Sequence, residues 1–173
     1  MERLWAGWRI PYILADHDER AKGTIPGLSL FEGIEQSGLG DETTYILWRG
    51  DRCFALLNAY PYTSGHLMVL PKVAHANLED LDDETYDELF RGVRMGVKAV
   101  KAAYDPQGVN VGINLGHASG AGVPDHLHVH VLPRWAADTN FMTSVAEARV
   151  LPESLADVWR RLQATWPDSA PSS

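Results

Sequence analysis

Three histidines alternate with apolar residues in the run Asp125-His126-Leu127-His128-Val129-His130-Val131-Leu132-Pro133-Arg134-Trp135, although the whole chain has only seven. Leu127, Val129 and Val131 favour a pleated strand, whose side chains alternate between faces, so His126, His128 and His130 are expected to share one face. Consecutive members of such a row stand roughly 6.5 to 7 Å apart, presenting a reactive surface beside a packed apolar back. Imidazole binds metals, shuttles protons and attacks electrophiles, because a pKa near 6.5 leaves a neutral, nucleophilic nitrogen at physiological pH. An isolated strand histidine is usually a structural hydrogen bonder; three in register weigh against that reading. The outer two would lie about 13 Å apart at their backbones, so all three converge on one ion only with difficulty, and distinct roles along a line suit the geometry better.

Just upstream, Asn110-Val111-Gly112-Ile113-Asn114-Leu115-Gly116-His117-Ala118-Ser119-Gly120-Ala121-Gly122-Val123-Pro124 reads as a strand ending near Asn114, then a tight loop. Glycines at 116, 120 and 122 permit positive φ and close approach of N–H groups, which can form an anion-binding nest. Glycine richness alone would mark only a hairpin connection. Beside a nucleophilic imidazole, however, a nest supplies what phosphoryl or nucleotidyl transfer requires, since charge on non-bridging oxygens must be held during attack.

His-Leu-His-Val-His-Val-Leu resembles the signature of the histidine triad (HIT) family, and a second stretch, Leu56-Leu57-Asn58-Ala59-Tyr60-Pro61-Tyr62-Thr63-Ser64-Gly65-His66-Leu67-Met68-Val69-Leu70-Pro71, resembles the family's other hallmark. The resemblance covers residues 43 to 135. Arg3-Leu4-Trp5, Trp8-Arg9, Asn-Leu-Gly before the loop and Pro-Arg-Trp after the triad resemble the bacterial branch related to diadenosine tetraphosphate phosphorylases.

The resemblance implies that His128 attacks the α-phosphorus of a nucleotide to give a covalent nucleotidyl-imidazole, that His130 faces the phosphate oxygens and assists the leaving group, and that His126 and His66 orient the row. It places Asn58 near the ribose and Asn114 near the phosphate. Ser119, Gly120, Ala121 and Gly122 would line the phosphate loop, and Trp135 would either stack on the ligand or simply pack. The implied reaction is phosphorolysis of diadenosine tetraphosphate to ADP and ATP, with hydrolysis of Ap4A, Ap3A or phosphoramidates, or nucleotide binding with little turnover, as alternatives. Implied partners are a dinucleoside polyphosphate, inorganic phosphate as acceptor, and a second copy of the chain in a homodimer or higher homo-oligomer. Two departures stand out. Where many bacterial relatives carry Cys-x-x-Cys for zinc, this chain has Leu28 and Phe31; His75 and His126 alone make a poor zinc site, so no metal and no cofactor are expected. The loop position that often carries Ser or Gln is Gly122 or Val123.

Elements must hold these residues. Strands are expected at about 44–49, 52–58, 65–71, 109–115 and 126–132, with a short helix over Leu28–Gln36, a long one over Asp82–Tyr104 and a C-terminal one over Pro152–Trp166. The long helix shows Tyr86, Leu89, Phe90, Val93, Val97, Val100 and Tyr104 at three- and four-residue intervals, with an acidic first turn. These make an α+β, HIT-like fold: a five-stranded, mainly antiparallel sheet with a long helix and a C-terminal helix. The organisation expected is a loop-rich arm over 1–43, the domain over 44–166 and a frayed tail over 167–173.

At 173 residues one sizeable core is expected. A net charge of −8 argues against a nucleic-acid binder relying on a basic field, so an anionic ligand must be held by local groups. The single cysteine, Cys53, cannot form an intrachain disulfide and reads as a small buried hydrophobe. With no membrane-length apolar run and no signal-peptide core in Met1 to Tyr12, cytoplasmic residence and no membrane partner are expected.

Overall fold

The structure, a computed structural model, describes residues 27–136, 138 and 153–167. Expectations for the arm before residue 27, including Arg3, Trp5, Trp8 and Arg9, and for the tail after residue 167 lie outside the described residues. The elements run α1 (Leu30–Glu35), α2 (Asp41–Thr44), β1 (Ile46–Arg49), β2 (Cys53–Leu57), β3 (Leu67–Pro71), a 3-10 turn (Leu78–Asp80), α3 (Asp83–Tyr104), β4 (Gly108–Ile113), a second 3-10 turn (His117–Ser119), β5 (Val129–Arg134) and α4 (Leu155–Gln163). The five strands form one sheet in the order β1-β2-β3-β5-β4, and every pairing is antiparallel. The expected α+β architecture is thus observed, with β4 on an edge and β5 inside.

Period-two alternation divides the core between the two faces of this sheet. Ala55, Leu57, Leu67, Val69, Leu127, Val129 and Val131 face α3 and α4, packing on Leu89, Val93, Ala99, Val100, Val158 and Leu162. Phe54, Leu56, Met68 and Leu70 face the other way, under Phe31 of α1. Cys53 is fully buried on the α3 side and burial pushes its thiol up to about 12, so it is a packed hydrophobe.

The rotation of α3 differs from the expectation. Tyr86 and Phe90 are 42% and 36% exposed and lie tilted against each other with centroids 4.8 Å apart, whereas Gly92, Gly96 and Ala99 face the sheet. The small residues decide this. A Cβ at Gly92 would stand 2.8 Å from Val69 Cγ1 and 2.9 Å from the Trp48 ring, so glycine lets the helix backbone approach the sheet, turning the aromatic pair outward. The helix begins on Asp82, whose carboxylate accepts the Thr85 N–H at 2.7 Å, and ends at Asp105 in the left-handed region.

A second difference lies at the histidines. β5 starts at Val129 and runs to Arg134, so His126 and His128 precede the ladder. The β3–β5 register, Leu67 with Val131 and Val69 with Val129, would set Leu127 opposite Pro71. Proline has no N–H to give, and the ladder stops. The Leu127 N–H donates to the His75 carbonyl at 2.6 Å instead.

Candidate active site

The three histidines do share one face, but they are not a surface. His126, His128 and His130 are 0%, 6% and 7% exposed, and His66 is 1% exposed. Phe31 lies edge-on to His126 and tilted to His128, at 5.4 and 5.5 Å between centroids. At the other end Tyr62, itself 40% exposed, lies over His66 at 4.7 Å and is stacked near His130 at 6.0 Å. The rings approach more closely than the strand repeat suggests, with 4.9 Å between His128 and His130 and 5.1 Å between His66 and His130. His66 joins because it enters β3, where Met68 stands opposite His130.

Hydrogen bonds to groups that can only donate or only accept fix the tautomers. His128 Nδ1 lies 2.8 Å from the carbonyl of His126; a carbonyl only accepts, so Nδ1 carries the proton and Nε2 keeps its lone pair. The Tyr62 N–H donates to His66 Nδ1 at 3.1 Å, so the His66 proton is on Nε2 and is donated to His130 Nδ1 at 2.9 Å. In consequence the neutral His130 ring carries its proton on Nε2. His126 Nε2 donates to the Pro71 carbonyl at 2.8 Å, leaving its Nδ1 to accept from the Ser29 hydroxyl at 2.7 Å. The set is a nucleophile-type nitrogen on His128 beside an N–H donor on His130, the pairing that in-line attack on phosphorus needs.

Electrostatics agree. Burial lowers the pKa values of His126 and His128 below the usual imidazole value, partly opposed by their carbonyl hydrogen bonds. Burial, then the neighbouring His128, takes His130 down to about 4. All three are therefore neutral at pH 7. Since an unfolded imidazole titrates near 6.5, the unfolded chain binds more protons than the folded one below that pH. Stability present above pH 6.5 is thus lost as pH falls through the lowered values. The urea midpoint should drop between pH 7.5 and pH 5; an unchanged or higher midpoint at pH 5 would rule out a buried neutral row.

The other predicted residues divide. Asn58 is beside His66, its amide Nδ2 within 3.4 Å of the ring and its Oδ1 accepting the Tyr60 N–H at 2.9 Å. In the β4–β5 register Gly112 pairs with His130, and the same parity carries Asn114 to the face and level of His128. Ser119, Gly120, Ala121 and Gly122 follow on the loop, with Gly116 and Gly120 in the left-handed region and Gly122 not. The Ser119 hydroxyl donates to the Gly116 carbonyl at 2.7 Å and so braces the loop itself. Trp135 packs edge-on to Tyr104 with centroids 6.2 Å apart, on the α3 side of the sheet, away from the histidines. Arg134 does not stand free near the loop: Asp138 holds its guanidinium at 2.5 and 2.7 Å. Sequence reasoning missed Ser29 and Tyr62 as neighbours of the row. Ser29-x-x-Glu32 had a signal, the capping-box pattern, whereas Tyr62 contributes a main-chain N–H that no side-chain pattern announces.

A metal does not suit this donor set. Among the described residues no group of three or more His, Cys, Asp or Glu could hold an ion, and both ring nitrogens of His126 are occupied by Ser29 and Pro71.

Comparison with known proteins shows the family. The HIT domain matches residues 40–137. An AP-4-A phosphorylase of Mycobacterium tuberculosis is 38% identical over 171 residues, covering 96% of this chain and 85% of that protein. An asymmetrical bis(5'-nucleosyl)-tetraphosphatase of Schizosaccharomyces pombe is 33% identical over 93 residues, covering 54% of this chain and 50% of that one. Among solved structures, a zinc-bound histidine triad family protein from Mycobacterium smegmatis superposes with a TM-score of 0.65 at 25% identity, covering 80% of this chain and 92% of its own.

Proposed function

The chain belongs to the HIT domain family, and from that premise we propose that it is a nucleotidyltransferase that phosphorolyses diadenosine tetraphosphate to ADP and ATP. The observation that supports this most is the His128 ring, neutral and turned by the His126 carbonyl so that Nε2 keeps its lone pair beside the His130 donor. In the reaction His128 Nε2 attacks the α-phosphorus of one adenylyl half. The bond to the bridging oxygen breaks, ATP departs, and His130 Nε2–H donates to the leaving oxygen. A phosphate oxygen then attacks the phosphorus of His128-AMP, releasing ADP and restoring the imidazole. His126 and His66 hold the rings, Asn58 takes the ribose side, and Asn114 with the loop from Ser119 to Gly122 takes the phosphate side.

Hydrolysis is the second reading, and one observation favours it. With Arg134 engaged by Asp138, no free guanidinium from that position adds to phosphate capture, and water competes for the vacated pocket. Product analysis over a phosphate titration tests the order. ADP should rise with phosphate at the expense of AMP. AMP formation at one rate throughout, with no ADP, would identify a hydrolase.

The unit proposed to carry this chemistry is residues 44–166, and its oligomeric form is a homodimer. β4 is an edge strand, with Val111 48% exposed and Leu115, just beyond it, 43% exposed, and such an edge invites pairing. Cytoplasmic residence fits the substrate; among the described residues no helix is long and apolar enough to cross a membrane.

A further inference from the structure

Ser29 and Glu32 form a capping box at the start of α1, and each also bonds outside the helix. The Ser29 hydroxyl accepts the Glu32 N–H at 3.2 Å and donates its own proton to His126 Nδ1, across 97 residues of sequence. Glu32 divides its oxygens: Oε2 accepts the Ser29 N–H at 2.7 Å and Oε1 the Ala74 N–H at 3.0 Å. The box therefore ties α1 to the turn after β3 and to the first triad histidine together. Burial works against the Glu32 carboxylate, but these backbone hydrogen bonds hold it below the usual range, so the acceptor persists.

What lies downstream matters more than the cap. His126 is fully buried with both nitrogens bonded, Nε2 to Pro71 and Nδ1 to Ser29, and its own carbonyl is the group that fixes the His128 tautomer. If the Ser29 proton is withdrawn, Nδ1 becomes a buried acceptor without a donor, and the ring gains by turning toward another donor. Turning the ring breaks its Nε2 hydrogen bond to Pro71, which releases the anchor on His126 and with it the carbonyl that aims the next imidazole. α1 is coupled to the same event because Phe31, two residues after Ser29, covers both rings.

We propose that Ser29 and Glu32 are positioning residues for the nucleotidyl transfer, acting through His126 to hold the His128 ring in its attacking orientation. This rests on the assignment of His128 as nucleophile. The pair does the orienting with a hydroxyl and a carboxylate, so first-histidine placement in this chain depends on α1 being docked.

The experiment uses the full chain with Ser29→Ala, Ser29→Thr and Glu32→Gln, reading the ring nitrogen shifts of His126 and His128 by NMR alongside kcat and KM for diadenosine tetraphosphate. Ser29→Ala should lower kcat by about 10- to 100-fold, the scale of a small misplacement at a reacting group, with KM within about twofold. In the same protein the ring nitrogen shifts of His126 should move, and those of His128 should move with them because the carbonyl that aims its ring is displaced. Threonine, which keeps the hydroxyl, should restore both readouts. Glu32→Gln, which can satisfy only one of the two N–H donors well, should shift both in the direction of Ser29→Ala and serves if alanine at 29 destabilises the chain. Unchanged ring shifts, an unchanged kcat, or a loss that threonine does not repair would each overturn the proposal. The ring shifts are measured without substrate, so wild-type protein inactive on the dinucleotide would count against the nucleophile assignment alone.

Discussion

Replacing His128 with alanine should reduce turnover of diadenosine tetraphosphate by at least about four orders of magnitude, the scale seen when a covalent nucleophile is lost, while leaving the protein folded. His130 cannot stand in, because its Nδ1 already accepts from His66 and its Nε2 bears a proton. His126 cannot either, with one nitrogen on Ser29 and the other on Pro71. Alanine at 126 or 130 should leave more activity, since each removes orientation or donation and spares the bond-forming atom. The fold should tolerate the change, because the lost side-chain bond joins His128 to the carbonyl only two residues before it. Single-turnover assays with labelled nucleotide decide the matter. Normal steady-state turnover by folded His128→Ala, or labelled AMP still attached to that variant, would eliminate His128 as the covalent nucleophile.

The second large effect concerns stability. Phe54→Ala should cost about 3 to 5 kcal/mol, because the ring is fully buried and few neighbours can collapse into its space. Against a total of roughly 5 to 15 kcal/mol for a domain, that is a large share. Phe54 lies in the cluster with Phe31, Leu56, Met68 and Leu70, so the cavity opens beneath α1 and should also loosen the helix over the histidines. Tyr86→Ala, by contrast, should change stability by no more than about 0.5 kcal/mol, since the ring lies outside the core on α3. Urea midpoints of the two variants compare them directly. Equal losses would mean that the face of α3 or the packing under α1 is misassigned.

That contrast marks where sequence reasoning reached and where it stopped. Alternation in 126–131 was legible because a period of two leaves each side chain only two faces to choose from, whereas 53–57 and 67–71, apolar throughout and buried on both faces, read as strands without a preferred face. The face of α3 was less so, since Tyr86 and Phe90 fit a helical period as well as Leu89 and Val93 do. Glycine decided it at Gly92 through an approach distance, which no count of apolar residues contains. The shared face of His126, His128 and His130 was legible; their burial was not, because the covers come from Phe31 and Tyr62, 68 or more positions away from the rings they lie over. Arg134 is engaged by Asp138, a local pairing four residues on that a charge pattern could have flagged. For Trp135, strand parity settles the side of the sheet once the true start of β5 is known.

Main-chain groups set most of the tautomers in this row. The carbonyls of His126 and Pro71 and the N–H of Tyr62 direct three of the four imidazoles, and apart from proline at 62 no side-chain replacement at those positions deletes such atoms. Point mutation therefore erodes the proton arrangement slowly, and genetic robustness is built into the chain path. The same property makes the arrangement fragile to changes of length. One residue added or removed between Tyr62 and His66 would slide the Tyr62 N–H past the His66 ring, and one between Pro71 and His75 would displace the carbonyl that receives the Leu127 N–H, so insertions and deletions in these two turns should be far rarer among functional variants than substitutions there.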